Sequence, residues 1–148
     1  MARVEGEITI HRSVEDVFDF VADQSHEPLY NPDMVSSVKE TPGPIGRGTC
    51  FRSAVRSGRR VAEMRIEVTG YESPRLLTST TTMSQLDIDY TLRFEGSGDG
   101  GTRMRWSGNV RPKGALRLLG PLVSVMGNRQ ERRIWSQLKS YLEGTAGR

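Results

Sequence analysis

The residue types that most often carry chemistry are sparse in this chain and poorly spaced for it. Cys50 is the only cysteine, so no internal disulfide can close, and His11 and His26 are the only histidines. One thiol and two distant imidazoles do not make a zinc set, and neither HExxH nor CxxC occurs. No metal and no cofactor are therefore expected, although carboxylates alone could still bind a metal. The glycine-rich run at 96–101 has the look of a dinucleotide loop, yet the residues after it alternate like a strand where a helix is required. A hairpin turn is expected there, since glycine reaches positive φ without strain. Arg129, Arg132 and Arg133 cluster within five residues, but no aromatic platform accompanies them. Nucleic acid is accordingly not an expected partner. What remains is a set of neutral polar groups: the phenols of Tyr30 and Tyr90, the amide of Gln130, and the hydroxyls of Thr78, Ser79, Thr80, Thr81 and Thr82. Such groups orient a small molecule in an apolar pocket better than they break bonds.

At 148 residues the length suits one domain, and 35% apolar content allows one lean core. No run approaches the ~18 consecutive apolar residues of a membrane span. The first residues pass directly into an alternating pattern, leaving no apolar signal segment. The expected location is the cytoplasm. The net charge of +3 hides an asymmetry: residues 1–102 carry 11 Lys/Arg against 16 Asp/Glu, and residues 103–148 carry 10 against 2. The basic C-terminal part could attract anionic surfaces, or it could be the solvated face of a strand and a helix.

The elements that must hold these groups are legible from periodicity. Residues 3–11 alternate as a half-buried strand. Ser13 stands as an N-cap, with Glu15 and Asp16 favouring the helix dipole of an amphipathic helix over 14–22. Residues 24–33 contain Pro28 and Pro32 and form a bent helical turn or a loop anchored by Leu29 and Tyr30. Strands follow at 35–40, 50–55, 61–69, 76–83, 86–95 and 102–109, separated by turn residues. Short connections favour an antiparallel meander with one wet face. From 115 to 143 the period becomes helical, with Pro121 in a first turn or at a kink and Gly144 as a stop.

One helix ~10 Å wide cannot cover the apolar face of six or seven curved strands. The space beneath it is either filled by large side chains or left hollow. Gly127 interrupts the helix stripe, and Gln130 lies four residues from both Met126 and Ile134. Gln130 is thus expected to point inward, unless the helix bends at Gly127-Asn128 and turns it to solvent. A buried amide would need hydrogen-bond partners.

The order of elements resembles the START-like, or SRPBCC, superfamily with the helix-grip fold, closest to its bacterial polyketide cyclase/dehydrase branch. The resemblance rests on Ile8–Ile10 leading into Ser13-Val14-Glu15-Asp16-Val17-Phe18 and on Tyr30-Asn31-Pro32. It rests further on Gly46-Arg47-Gly48-Thr49, Gly101-Thr102-Arg103-Met104-Arg105-Trp106 and Leu138-Lys139-Ser140-Tyr141-Leu142-Glu143. It implies an α+β fold of the Bet v 1/START type: a curved antiparallel sheet around a long C-terminal helix, spanning 1–148 as one domain. Members of the superfamily bind lipids, hormones, polyketides or quinone-like molecules, and some catalyse cyclisation, aromatisation or dehydration. The leading expectation is a binding protein for a small hydrophobic or aromatic molecule. Its candidate contacts are Phe20 and Tyr30 at the mouth, Met64, Ile66, Tyr90 and Trp106 from the sheet, and Leu119, Val123, Met126 and Gln130 from the helix. A cyclase or dehydratase is the alternative, but no catalytic residue is carried over. Alternation places Arg105 outward, and no His, Asp or Glu falls on an apolar face. A third reading gives the basic C-terminal part to a membrane, nucleic acid or acidic partner.

Overall fold

In the computed structural model the described residues are 2–144. Seven strands form one antiparallel sheet: β1 (Ala2–Ile10), β2 (Met34–Lys39), β3 (Cys50–Ser57), β4 (Arg60–Glu72), β5 (Leu76–Met83), β6 (Leu86–Gly96) and β7 (Thr102–Pro112). Their spatial order is β1-β7-β6-β5-β4-β3-β2, so every neighbouring pair except β1–β7 is a hairpin of consecutive strands. The helices are α1 (Val14–Ala22), which follows β1, and α2 (Gly120–Gly144), which ends the described chain. This is the helix-grip arrangement that the order of elements implied.

The local chemistry explains the boundaries. Ser13 Oγ accepts from the Asp16 amide at 3.2 Å and starts α1. Asp23 does the same for the Ser25 amide at 3.0 Å, opening a 3-10 turn over Gln24–Leu29. The bent turn expected at 24–33 is therefore helical in its first part. Gly98 and Gly100 hold φ near +88° and +85°, as a tight β6–β7 connection requires. The C-terminal helix starts later than periodicity indicates. Gly114–Leu119 forms a 3-10 turn, and α2 begins at Gly120 with Pro121 in its first turn, where a missing N–H costs nothing.

The concave face of the sheet carries the core. Phe18, Phe51, Ile10, Met104 and Leu138 are fully buried, and Phe18 meets Phe94 and Tyr71 edge-on with ring centroids 5.1 and 5.3 Å away. The convex face is wet and ionic. Arg103 and Arg105 of β7 reach Glu7 of β1 (3.8 and 3.6 Å) and Glu95 of β6 (3.5 and 3.4 Å) across three strands. Arg105 thus faces away from any interior site, as its alternation indicates. These two arginines belong to the solvated face of a strand, the simpler of the two accounts of the basic C-terminal part.

Two glycines make room for large rings on the concave face. A Cβ at Gly6 would lie 2.3 Å from Trp106 Cζ2, and one at Gly108 would lie 3.0 Å from Tyr90 Cδ2. Glycine inside a strand marks such close approach. Gly6→Ala should cost about 1–3 kcal/mol in urea unfolding, because a rigid indole cannot yield to the added methyl. The control Gly96→Ala, with nothing within 4 Å of its Cβ, should change stability by under ~0.5 kcal/mol.

Candidate functional site

The rotation of α2 about its own axis decides which of its side chains enter the concave space. Its first half lies on the edge strand β1. Ser124 Oγ donates to the Arg3 carbonyl at 2.8 Å, and Asn128 Oδ1 accepts from the Glu5 amide at 3.0 Å. Gly127 lets the helix approach so closely that a Cβ there would lie 2.9 Å from Val4 Cγ1. With 127 against the sheet, helical spacing turns 131, 134, 135, 138 and 142 inward. Trp135, Leu138 and Leu142 are indeed buried, and Ile134 packs against the core.

Glu131 is therefore the side chain aimed beneath the helix. Gln130, expected there from its spacing to Met126 and Ile134, is exposed instead. The one-residue difference follows from Gly127 being the contact with β1 rather than a gap in the stripe. Leu119 and Met126 are also corrected: they are 47% and 62% exposed, and Leu118, Leu122 and Val125 are exposed as well. Val123 packs on a satellite cluster of Ala2, Val4 and Val110 rather than on the main core.

The sheet and mouth residues do come together. Ile66, Trp106 and Tyr30 are buried, and Phe20, Met64 and Tyr90 pack against the same core while half-buried. Phe20 stacks on Tyr141 and His26, at 5.5 and 4.4 Å between centroids. Tyr30 and Trp106 flank Trp135 at 6.4 and 6.1 Å. Across β5 from Tyr90 and Ile88 stand only Ser79 and Thr81, so the concave face carries small side chains opposite Glu131. Those two hydroxyl residues are the part of the threonine-rich strand that faces inward. Thr78 and Thr80 instead bond Thr69 and Asp89 on the other face.

A polar network crosses this apolar wall. Tyr90 OH donates to Glu131 Oε2 at 2.7 Å and accepts from Trp135 Nε1 at 3.0 Å. On the 3-10 turn, Asn31 Nδ2 donates to Glu27 Oε2 at 2.9 Å, with Tyr30 next to both. Burial pushes the Glu131 carboxyl up to about 7, opposed by the Tyr90 hydrogen bond and assisted by the charge of Glu27. Burial likewise raises Glu27, against the Asn31 hydrogen bond. Tyr30 and Tyr90 both lie well above the usual phenol range, first through desolvation and then through the two carboxylates. The expectation that no acid lies on an apolar face is thus overturned twice. Trp106 Nε1 is buried with no hydrogen-bond partner among the described residues. The signal available in the sequence was Trp135: counting back from Leu138 through Trp135 reaches Glu131, not Gln130.

Two surface depressions, of about 400 and 530 Å³, lie elsewhere. One is bordered by Arg111, Pro112, Arg117 and Gly120, the other by Glu5, Val125, Asn128, Arg129 and Arg132. Neither includes a member of the network. No helix among the described residues is long and apolar enough to cross a membrane.

The family model described as "Polyketide cyclase / dehydrase and lipid transport" matches residues 1–143. The chain belongs to this family. Solved structures with the same fold include a START superfamily protein from Mycobacterium smegmatis, with a TM-score of 0.85 and 15% identity over 97% of this chain and 99% of that one. TTHA0849 from Thermus thermophilus gives 0.81 and 16% over 96% and 97%. The Zhui aromatase/cyclase from Streptomyces sp. R1128 gives 0.81 and 11% over 95% and 93%. At such identities the likeness is one of fold. No curated protein matches the sequence.

The raised carboxyls carry a sign that can be measured. An acid whose folded value lies above its unfolded one stabilises the fold below the unfolded value, and that stability is lost as pH rises through the folded one. For Glu131 the window runs from about 4.5 to about 7, and Glu27 acts in the same direction. Glu131→Gln should be more stable than the parent at pH 8 by on the order of 2–3 kcal/mol. It should be equal to the parent near pH 4.5, as read by urea unfolding at both values.

Proposed function

We propose that this family member binds a small hydrophobic or aromatic molecule, of polyketide, lipid or quinone type, between the sheet and α2. The observation that carries the reading is the Trp135–Tyr90–Glu131 network, set in an aromatic wall and reachable by solvent at Tyr90 and Glu131. An apolar lining with a few convergent polar groups and a perturbed titration is the usual mark of a ligand site. Ser79 and Thr81 supply the room, and Phe20, Tyr30, Met64, Ile66, Tyr90 and Trp106 supply the apolar contacts. The family description names both cyclase/dehydrase activity and lipid transport, and both require such a space.

A second reading, catalysis on that ligand, is favoured by the Glu131 carboxyl near neutrality. At pH 7 such a group can take a proton from a carbon next to a carbonyl and return it to a leaving hydroxyl. The Tyr90 phenol, 2.7 Å away, would donate to the enolate oxygen that forms meanwhile. In this reading Glu131→Gln lowers turnover about 10²–10⁴-fold, and the rate of the parent inflects near pH 7.

Both tryptophans of the chain, Trp106 and Trp135, line the proposed space. Titration with Nile red and with a panel of aromatic polyketide-like compounds should quench or shift the intrinsic tryptophan emission and raise the melting temperature. Replacing Ser79 by Trp, which fills the space, should abolish both responses. A folded parent protein that gives neither response with any member of the panel would sink the binding reading.

A further inference from the structure

The two half-buried acids have no countercharge among the described residues. Neither Glu27 nor Glu131 has a Lys, Arg or His within ion-pair distance among the described residues. Each is held only by neutral donors: Asn31 for Glu27, and Tyr90 for Glu131, with Trp135 donating in turn to the Tyr90 oxygen. They come from different elements, the 3-10 turn after α1 and the middle of α2, and are linked through Tyr30, whose amide donates to the Glu27 carbonyl at 3.1 Å and whose ring lies 6.4 Å from that of Trp135. Protein interiors rarely keep two unpaired carboxylates together, because each ionised form is costly to bury. The groups packed around them are aromatic: Tyr30, Tyr90 and Trp135, with Trp106 beyond. Ring faces attract a cation.

An independent observation concerns the other side of Trp135. Trp106 is 4% exposed, and its Nε1 is buried without an acceptor. Gly6 fixes this ring, because its bare backbone is what the indole lies against. Trp106 is therefore a prepared donor under the same helix that presents Glu131.

We propose that Glu27 and Glu131, ringed by Tyr30, Tyr90 and Trp135, seat the ammonium group of a hydrophobic amine that also brings an oxygen acceptor for Trp106 Nε1. The inference rests on the ligand-binding reading above and narrows it to cationic ligands. The amine supplies the countercharge that the described residues lack, and its apolar part lies along Ile66 and Met64. A neutral compound of the same shape leaves both acids unpaired. An anionic one adds a third negative charge.

The test uses three compounds of one shape on the full chain at pH 7.5: 2-(2-naphthyloxy)ethylamine, 2-(2-naphthyloxy)ethanol and 2-naphthyloxyacetate. Nile red serves as a neutral reporter of the apolar space. Calorimetry and tryptophan emission should give the amine about tenfold or more tighter binding than the alcohol, with the carboxylate weakest. Glu131→Gln should bring amine and alcohol to within about threefold of one another. Glu27→Gln offers the same readout should the first variant fold poorly. If the alcohol or the carboxylate binds as tightly as the amine, the cationic preference is wrong and the ligand-binding reading stands. Failure of all three with Nile red still bound overturns the preference in the same way. If Nile red and all three fail to bind, the ligand-binding reading falls as well.

Discussion

The seating of α2 on β1 governs the interior of this protein. Gly127 brings the helix against Val4, and Ser124 and Asn128 tie it to the main chain of Arg3 and Glu5. A helix fastened by its backbone and short side chains cannot roll, so its rotation is fixed at that point. Everything downstream inherits it. Trp135, Leu138 and Leu142 enter the core, and Glu131 arrives beneath the helix opposite Tyr90. The two strand glycines complete the arrangement by giving Trp106 and Tyr90 the floor space that a side chain at Gly6 or Gly108 would occupy.

Within this frame the polar network is held under tension rather than satisfied. Tyr90 donates to Glu131 and accepts from Trp135, so its one proton is committed for as long as Glu131 is ionised. The acids are not: each accepts from neutral donors, and desolvation outweighs those bonds, which is why both titrate high. A core built only for stability would place apolar groups at these positions, since replacing buried charges by hydrophobic residues is often neutral or stabilising. The stability forgone at Glu27 and Glu131 is what the proposed recognition or proton transfer would account for.

The strand meander, α1 and the long helix were legible in the sequence because periods of 2 and 3.6 are local and the turn residues between them unambiguous. Ser13 shows the same at finer scale, since an N-cap is read within four residues. The site was legible only in part. Ile66, Tyr90 and Trp106 could be placed on the concave face, because strand alternation assigns a face without further information, whereas Tyr30 could be read only as an apolar anchor of its turn. The helix residues could not. On a 25-residue helix of modest amphipathicity an error of one residue turns a side chain by about 100°, and only the long-range contact between Gly127 and Val4 sets the zero. Glu27 was hidden for a different reason: a six-residue 3-10 turn containing Pro28 has no period from which a face can be deduced.

The seam along β1 also has a mechanical meaning. A helix sewn to a sheet edge has one flank closed by the stitching. Arg3, Val4 and Glu5 are the strand side of that seam, and Ser124, Gly127 and Asn128 are its helix side. Met126 and Gln130 lie on the opposite flank of the helix. A molecule of the proposed kind would therefore meet the helix from the flank of Met126 and Gln130, because the other is taken up by β1.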